Sequence, residues 1–377
     1  MDKVKNIMRK SGPAEGHGAQ ASPVLREPIA SDSEAATFTD TVESRSFDEV
    51  SSHQGTASGI STFSGSRQEG FDNRCPEFKD LRNLPFVSTM LSKGFMAFPT
   101  EKSFLEYRRN KRRLDSLNDP HALGFPLLHA VTLSVFKTII NRHSPIMRIQ
   151  RFTLVDTSQD PDWAVNYKED DCCKLMASRG PLKVFKLDFC EVFQHIETRT
   201  GHVDYRFLYR IDNRPNNNFF NLSMGSHVHR RDCDIKINDL KLRWYGTSGL
   251  SSPFGTNKFK LMVLDDVMPS FLDYATDAEY VQAKKKAQPL RPIAQLPVWG
   301  SYSDQHASII PKNRTLRHAN VKLRELSECS PGIRDVPWDT LVLASMSMLL
   351  HELESKKEKS SPYRTGGLAI GSLAMAL

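Results

Sequence analysis

The chain has 377 residues, 39% of them hydrophobic and 25% charged, with 51 Lys+Arg against 44 Asp+Glu for a formal net charge of +7. That supplies one large core or two smaller ones plus tails, which excludes a wholly disordered chain. The charge is uneven: residues 1–70 hold 7 Lys/Arg and 10 Asp/Glu, leaving 44 against 34 for the rest, a net +10.

A basic body behind a mildly acidic tail suits an anionic partner, whether phospholipid, nucleic acid or an acidic protein. Ordinary surface charge gives the same balance. The six cysteines (Cys75, Cys172, Cys173, Cys190, Cys233, Cys329) make no C-x-x-C pair, and M-D-K-V-K-N-I-M-R-K at the start has no apolar run. Reduced thiols in the cytoplasm are the expectation.

In chain order, residues 1–72 are rich in Ser, Thr, Gly, Asp and Glu, with isolated Phe38, Phe47 and Phe63. Such a segment buries too little apolar surface to offset its ordering entropy, so a disordered tail is expected. Its hydroxyls suit phosphorylation and its length suits protein partners. A single body is expected over 75–358. Leu84 to Phe98 is apolar, and Y-R-R-N-K-R-R at Tyr107 to Arg113 is the densest basic run. F-P-L-L-H-A-V-T-L-S-V-F-K-T-I-I from Phe125 leaves helix and strand open by periodicity.

Residues 146–264 read as a strand core. R-F-T-L-V is one strand; L-K-V-F-K-L-D-F-C-E-V-F alternates, with Phe185, Leu187 and Phe189 on one face. After T-R-T-G, H-V-D-Y-R-F-L-Y-R-I puts Tyr205, Phe207 and Tyr209 together, so the pair reads as a β-hairpin. N-F-F-N-L-S-M, D-I-K-I-N-D-L-K-L-R-W-Y and K-F-K-L-M-V-L continue the series. Strands in succession without intervening helices predict an antiparallel meander. Residues 265–308 read as a proline-punctuated connector with a helix near Asp277, and A-N-V-K-L-R-E-L as a further strand.

W-D-T-L-V-L-A-S-M-S-M-L-L-H-E-L, Trp338 to Leu353, predicts a helix over 337–353, with Asp335 as its N-cap and Pro337 in its first turn. Trp338, Val342, Met346, Leu349 and Leu353 form one stripe, and Leu341, Leu343, Ala344, Met348 and Leu350 fill most of the rest. A surface helix would be polar opposite its stripe. The apolar stretch is about 16 Å long, against roughly 20 residues for a membrane span, so no transmembrane segment is expected. The helix must be surrounded by protein, with Ser345, Ser347 and Thr340 bonding carbonyls four residues back. Residues 359–377 form a tail.

The fold class expected is therefore mainly β (α+β): an antiparallel meander, as barrel or sandwich, packed around or against an apolar C-terminal helix. In element order over roughly residues 85–355 this resembles the tubby-like superfamily, which includes the tubby, LURP and phospholipid-scramblase branches. The resemblance implies a closed barrel around the helix, with Phe185, Phe189, Phe207 and Tyr209 lining it, and phosphoinositide binding or action at membranes. It carries no motif residue by residue. The tail after the helix and the long connector after Asp266 depart from it.

Candidate sites follow from charge. Arg108, Arg109, Lys111, Arg112 and Arg113 lie beside Tyr107, and Lys241, Arg243 and Lys260 near Trp244. On a strand, Lys241 and Arg243 share a face opposite Leu242 and Trp244, a pattern that suits phosphates. A solvated outer sheet face gives it equally. In H-V-H-R-R-D-C-D, His227 and His229 share a strand face and Cys233 or Asp232 could complete a metal set; surface histidines beside a basic pair are the plainer account, and Arg230 and Arg231 suit an anion. D-D-C-C at Asp170 to Cys173 reads as a loop, since neighbouring acids raise a thiol's pKa.

G-x-S-x-G, the P-loop, G-x-G-x-x-G and H-E-x-x-H are absent from the sequence. The expectation is a non-enzymatic cytoplasmic protein without cofactor. It would bind an anionic surface reversibly, acidic phospholipid and phosphoinositide first, as a peripheral membrane protein. The alternative is a structural or scaffold protein, viral matrix-like or movement-like, binding RNA, protein or both. A metal-dependent enzyme at His227 and His229 is the third.

Overall fold

The computed structural model describes residues 78–360 apart from 91, 134–143, 160–172, 198–201, 211–218, 228–231, 238–239, 248–256, 275, 290–291, 309, 313 and 327. The N-terminal tail (1–72), residues 361–377, the T-R-T-G turn and most of the D-D-C-C stretch fall outside the described residues.

Among the described residues thirteen strands make one antiparallel sheet: β1 Asp80–Thr89, β2 Phe95–Ala97, β3 Leu128–Thr132, β4 Met147–Asp156, β5 Cys173–Arg179, β6 Leu182–Glu197, β7 His202–Arg210, β8 Phe219–His227, β9 Cys233–Ile237, β10 Leu240–Thr247, β11 Lys258–Val263, β12 Val298–Ser303 and β13 Thr315–Glu325. Chain neighbours pair in turn except β4 with β5, β13 pairs with β1, and β6 pairs with β4, which closes a twelve-strand barrel. Strand β5 stands outside the ring on the first half of β6. Closure decides between barrel and sandwich, and it leaves the ring no exposed edge.

Helix α1 (Glu101–Arg109) lies against β1, α2 is Asp277–Lys286, and α3 runs Trp338–Ser360. From Leu341 to Leu350 no residue of α3 is more than 1% exposed. That stretch turns almost three times, so every side of the helix is covered. The cover comes from opposite arcs of the ring. Phe189 of β6 and Tyr209 of β7 meet Trp338 at 5.3 and 6.2 Å between ring centroids, while Phe86 of β1 and Phe95 of β2 meet His351 at 6.1 and 5.0 Å. The helix therefore fills the barrel.

The hydroxyls on α3 are satisfied without breaking this packing. Ser345 and Ser347 donate to the carbonyls of Leu341 and Leu343 at 2.7 and 2.6 Å, as expected. Thr340 instead donates to Glu325 Oε1 at 2.7 Å. Glu325 is buried with Arg82 of β1, whose Nη2 donates to Oε2 at 3.0 Å, and Arg82 Nη1 reaches the Ser330 carbonyl at 2.9 Å. One ion pair so joins the seam strands β1 and β13 to the start of the helix.

Several local expectations are corrected. Asp335 is not the N-cap: it is exposed in a turn with φ 56°, and the helix begins at Trp338 with Leu341 N–H on the Pro337 carbonyl. The run D-I-K-I-N-D-L-K-L-R-W-Y is two paired strands, β9 and β10. Strand β12 lies inside the expected connector. Phe185 does not line the helix. A bulge where Ile149 and Gln150 face Cys190 and Asp188 leaves Phe189 as the extra residue, while Val184 before it and Cys190 and Val192 after it keep the even positions inward. Phe189, Cys190 and Val192 join the main core, whereas Phe185 and Leu187 pack separately with Val155.

Candidate functional site

The strands β9–β13 carry a dense group of cations, and their outer faces divide into two parts. On β9 and β10 the cations meet carboxylates, with Arg243 buried, Lys241 partly buried and Lys236 exposed. The chain after β11 folds back through a short 3-10 turn, Phe271–Asp273, and through α2. It presses so closely on β8 that a Cβ at Gly225 would stand 2.4 Å from Leu272 Cδ2. Arg243 is buried beneath it, with Nε and Nη2 donating to Asp234 Oδ1 and Oδ2 at 2.6 and 2.8 Å. Arg243 Nη2 also donates to the Pro269 carbonyl at 2.9 Å and lies 3.2 Å from the Tyr280 hydroxyl. Asp234 accepts from Ser270 Oγ and the Phe271 N–H, both at 3.0 Å. Burial opposes the guanidinium charge, but Asp234 outweighs it and raises the Arg243 pKa.

Lys236 and Lys241 each reach Asp273 at 2.7 Å. Burial pushes the Asp273 carboxyl up, and the two ammoniums more than reverse it, holding it below its ordinary value. Arg243, expected on an open anion-binding face, is thus corrected to the partner of buried Asp234, and Lys241, expected beside it, pairs with Asp273. The sequence puts them on the right face of the strand, but that face is roofed.

On β11 to β13 the same alternation leaves cations open. Tyr245, Lys260, Ser301, Lys322 and Asn83 are consecutive register partners across β10, β11, β12, β13 and β1. The neighbouring row is Lys258, Ser303, Asn320 and Pro85, and Arg324 stands opposite Leu81. Lys258, Lys260, Lys322 and Arg324 are all exposed. Neither row contains a carboxylate, and no ion pair ties these four to a described residue. Lys258 and Lys260 stand about 7 Å apart along the strand, and Lys260 and Lys322 about 10 Å apart across it. Those spacings are close to the Debye length of ~8 Å, so the charges act together. Lys260 was legible in the sequence. Lys258, Lys322 and Arg324 were missed, because strand register alone brings K-F-K and V-K-L-R side by side.

The basic run around α1 is mixed. Thr100 caps the helix on Ser103 N–H at 3.2 Å and holds the Pro331 carbonyl at 2.7 Å. Phe98, Phe104 and Tyr107 bury one side of α1. Arg109 pairs with Glu106 at 2.7 Å yet stays 79% exposed. Lys111 and Arg113 are exposed, whereas Arg108 and Arg112 are half-buried. The guanidiniums of Arg108 and Arg317 both lie 5.7 Å from the Phe104 ring centre, and Arg317 also pairs with Glu101.

A polar cavity of about 140 Å³ opens at the end of the barrel where α3 leaves it. Tyr302, Arg317, His318, His351 and Glu354 line it, with Asp304, which takes the Asn257 N–H and side-chain amide at 2.6 and 2.7 Å. Tyr302 Oη and His351 Nδ1 are 2.8 Å apart. Its charges are of both signs, so it favours no simple anion.

Of the metal candidates, His229 lies outside the described residues, with Arg230 and Arg231, and the His227 side chain is likewise not described. Cys233 is 1% exposed inside the barrel core, which turns its sulfur away from any open site. Among the described residues no three metal-type side chains converge, and no helix is long and apolar enough to cross a membrane.

A model of the DIA1 family matches residues 79–359, and the chain belongs to that family. It is 35% identical over 319 residues to the uncharacterized protein YNL165W of Saccharomyces cerevisiae, covering 79% of this chain and 76% of that one. Two further proteins of that yeast are similar. Protein DIA1 is 24% identical over 76% of this chain and 82% of its own, and uncharacterized protein YOR385W is 26% identical over 74% and 90%. No solved structure matches.

Proposed function

We propose that this protein is a non-enzymatic, cytoplasmic binder of acidic phospholipid surfaces, phosphoinositide included, and that it docks reversibly and peripherally. The observation that carries this is the group of exposed cations Lys258, Lys260, Lys322 and Arg324, whose rows hold no carboxylate, with Lys111 and Arg113 as further exposed cations. Each basic residue held near an acidic bilayer contributes about 1 kcal/mol, so four to six give a useful but reversible attachment. The tubby-like kinship implied by element order is part of the proposal; what supports it is the closed antiparallel barrel filled by a C-terminal helix.

RNA binding is the competing account, and it calls for exposed aromatics interleaved with the cations. Tyr245 is the one exposed aromatic among the described large apolar side chains, whereas Leu81 stands exposed beside Arg324. A single aromatic, Tyr245 beside Lys260, is too few to stack successive bases along the face, and that favours lipid.

The test is sedimentation of the full chain with vesicles of phosphatidylcholine, alone or with phosphatidylserine or phosphoinositide, in rising salt, with single-stranded RNA in parallel. Capture by acidic vesicles only, lost as salt rises, is expected. Retention on RNA without retention on acidic vesicles would transfer the function to the RNA account. Retention on neither at low salt would leave protein scaffolding.

A further inference from the structure

Met90 and Ile310 are 67% and 76% exposed, the two most exposed large apolar side chains among the described residues. They belong to loops far apart in sequence, β1–β2 and β12–β13, which the seam of the barrel brings together. Thr89 and Thr315 are register partners, Met90 N–H donates to the Arg314 carbonyl at 3.2 Å, and Lys312 bridges back to Thr315. Gly94, at φ 80°, turns the first loop, and a Cβ there would stand 1.9 Å from the Ala130 carbonyl oxygen.

Around the two apolar tips stand Lys93, Lys312 and Arg314, all exposed. The loop sequences T-M-L-S-K-G and D-Q-H-A-S-I-I-P-K-N-R contain a single carboxylate, Asp304. Asn257 already holds it at 2.6 and 2.7 Å. Two apolar prongs inside a cationic collar match the layered chemistry of an acidic bilayer: headgroup phosphates outside, acyl carbons within. A solitary exposed Leu needs no explanation; two prongs on one barrel end, with Lys93, Lys312 and Arg314 beside them, do.

We infer that this end of the barrel is a membrane-insertion tip, in which Met90 and Ile310 enter the interface of an acidic phospholipid bilayer while Lys93, Lys312 and Arg314 meet its phosphates. This rests on the acidic-membrane function proposed above and adds to it an orientation and a salt-resistant component. The open row of β11–β13 supplies long-range attraction, whereas the tip supplies contact that salt does not screen.

The experiment compares the full-length protein with a Met90→Ser/Ile310→Ser variant. Sedimentation is measured with phosphatidylcholine/phosphatidylserine vesicles at low and at physiological salt, and elution volume without vesicles. Both positions are exposed, so folding is untouched, and unchanged thermal unfolding verifies that. Each apolar side chain withdrawn from water is worth on the order of tenfold in affinity. The variant is expected to bind at low salt and to lose tenfold or more at physiological salt. Identical binding at both salts would overturn the tip and leave the acidic-membrane function standing. Failure of the unaltered protein to bind acidic vesicles at low salt would overturn both. A changed elution volume with unchanged sedimentation would assign the tip to a second copy of the chain, and overturn its assignment to lipid.

Discussion

The outer faces of β9–β10 and β11–β13 are built from the same kind of sequence and end in opposite conditions. K-I-N-D-L-K-L-R and K-F-K both place cations on alternate strand positions facing away from the barrel core. On β9–β10 the chain that follows β11 returns as a roof and brings carboxylates with it. Asp273 takes Lys236 and Lys241, and Asp234, turned outward on β9, takes Arg243. On β11–β13 no described segment roofs the row, and Lys258, Lys260, Lys322 and Arg324 face water without carboxylates. A basic strand face is therefore a structural element where it is roofed and a candidate for recognition where it is not. Local pattern cannot tell the two apart, because the roof comes from a distant part of the chain.

The largest expected effect breaks the roofed side. Arg243→Ala leaves Asp234 buried without its counter-charge, which costs about 3–5 kcal/mol, a large part of a typical total of ~5–15 kcal/mol. Urea unfolding should show that loss while vesicle binding at temperatures where the fold persists stays unchanged. Replacing both partners, Asp234→Leu with Arg243→Met, should cost much less, since two apolar side chains leave no buried charge.

A third face sharpens the contrast. Lys186 is half-buried, and its ammonium lies 3.0 Å from His129 Nδ1, while His129 Nε2 is 2.8 Å from the Lys93 carbonyl. Burial, then Lys174, lowers the Lys186 pKa against the pull of Asp188. Burial, then the Lys186 charge, lowers that of His129, against hydrogen bonds to Lys93 and Gln150. Here a cation is covered without a carboxylate bonded to it. An imidazole depressed in the folded state protonates more readily when the chain unfolds, so its stability is present above the ordinary histidine value and lost below it. Thermal midpoints should fall as pH drops below about 6.5, and His129→Gln should flatten that slope. An equal slope in the variant would place the cause elsewhere.

A smaller effect converts the roofed face toward the open one. Asp273→Ala releases Lys236 and Lys241 at the edge of the roof, where ion pairs are worth ~1 kcal/mol or less. Stability should barely change, and binding to acidic vesicles should rise. Unchanged binding would mean that the roof, not the carboxylate, silences those lysines.

Much of the architecture was legible because it rests on periodicity. Helix α3 declared itself by having no polar side, and β6 and β7 by alternation joined across a glycine-containing turn. The seam was not legible. Strand β12 hid in a proline-rich stretch, and β1 shares its apolar run with β2, so nothing local predicts their pairing with β13. The bulge at Phe189 was invisible for another reason: Phe185, Leu187 and Phe189 read as one alternation, and only the partner strand reveals that Phe189 leaves it. Of the candidate site, Lys260 came from alternation alone; Lys322 needed the register of β12 on β13, and Arg324 that of β1 on β13.

The most direct measurement sets one face against the other in the same binding experiment. Lys260→Glu with Lys322→Glu, and separately Lys241→Gln, are compared with the unaltered chain on phosphatidylserine vesicles at low salt. The first pair should weaken binding by tenfold or more, at about 1 kcal/mol for each charge near the surface, with unfolding unchanged. Lys241→Gln should leave binding as it was, since Asp273 already holds that charge. Equal losses from both, or none from the first, would contradict the claim that the open row is the recognition surface.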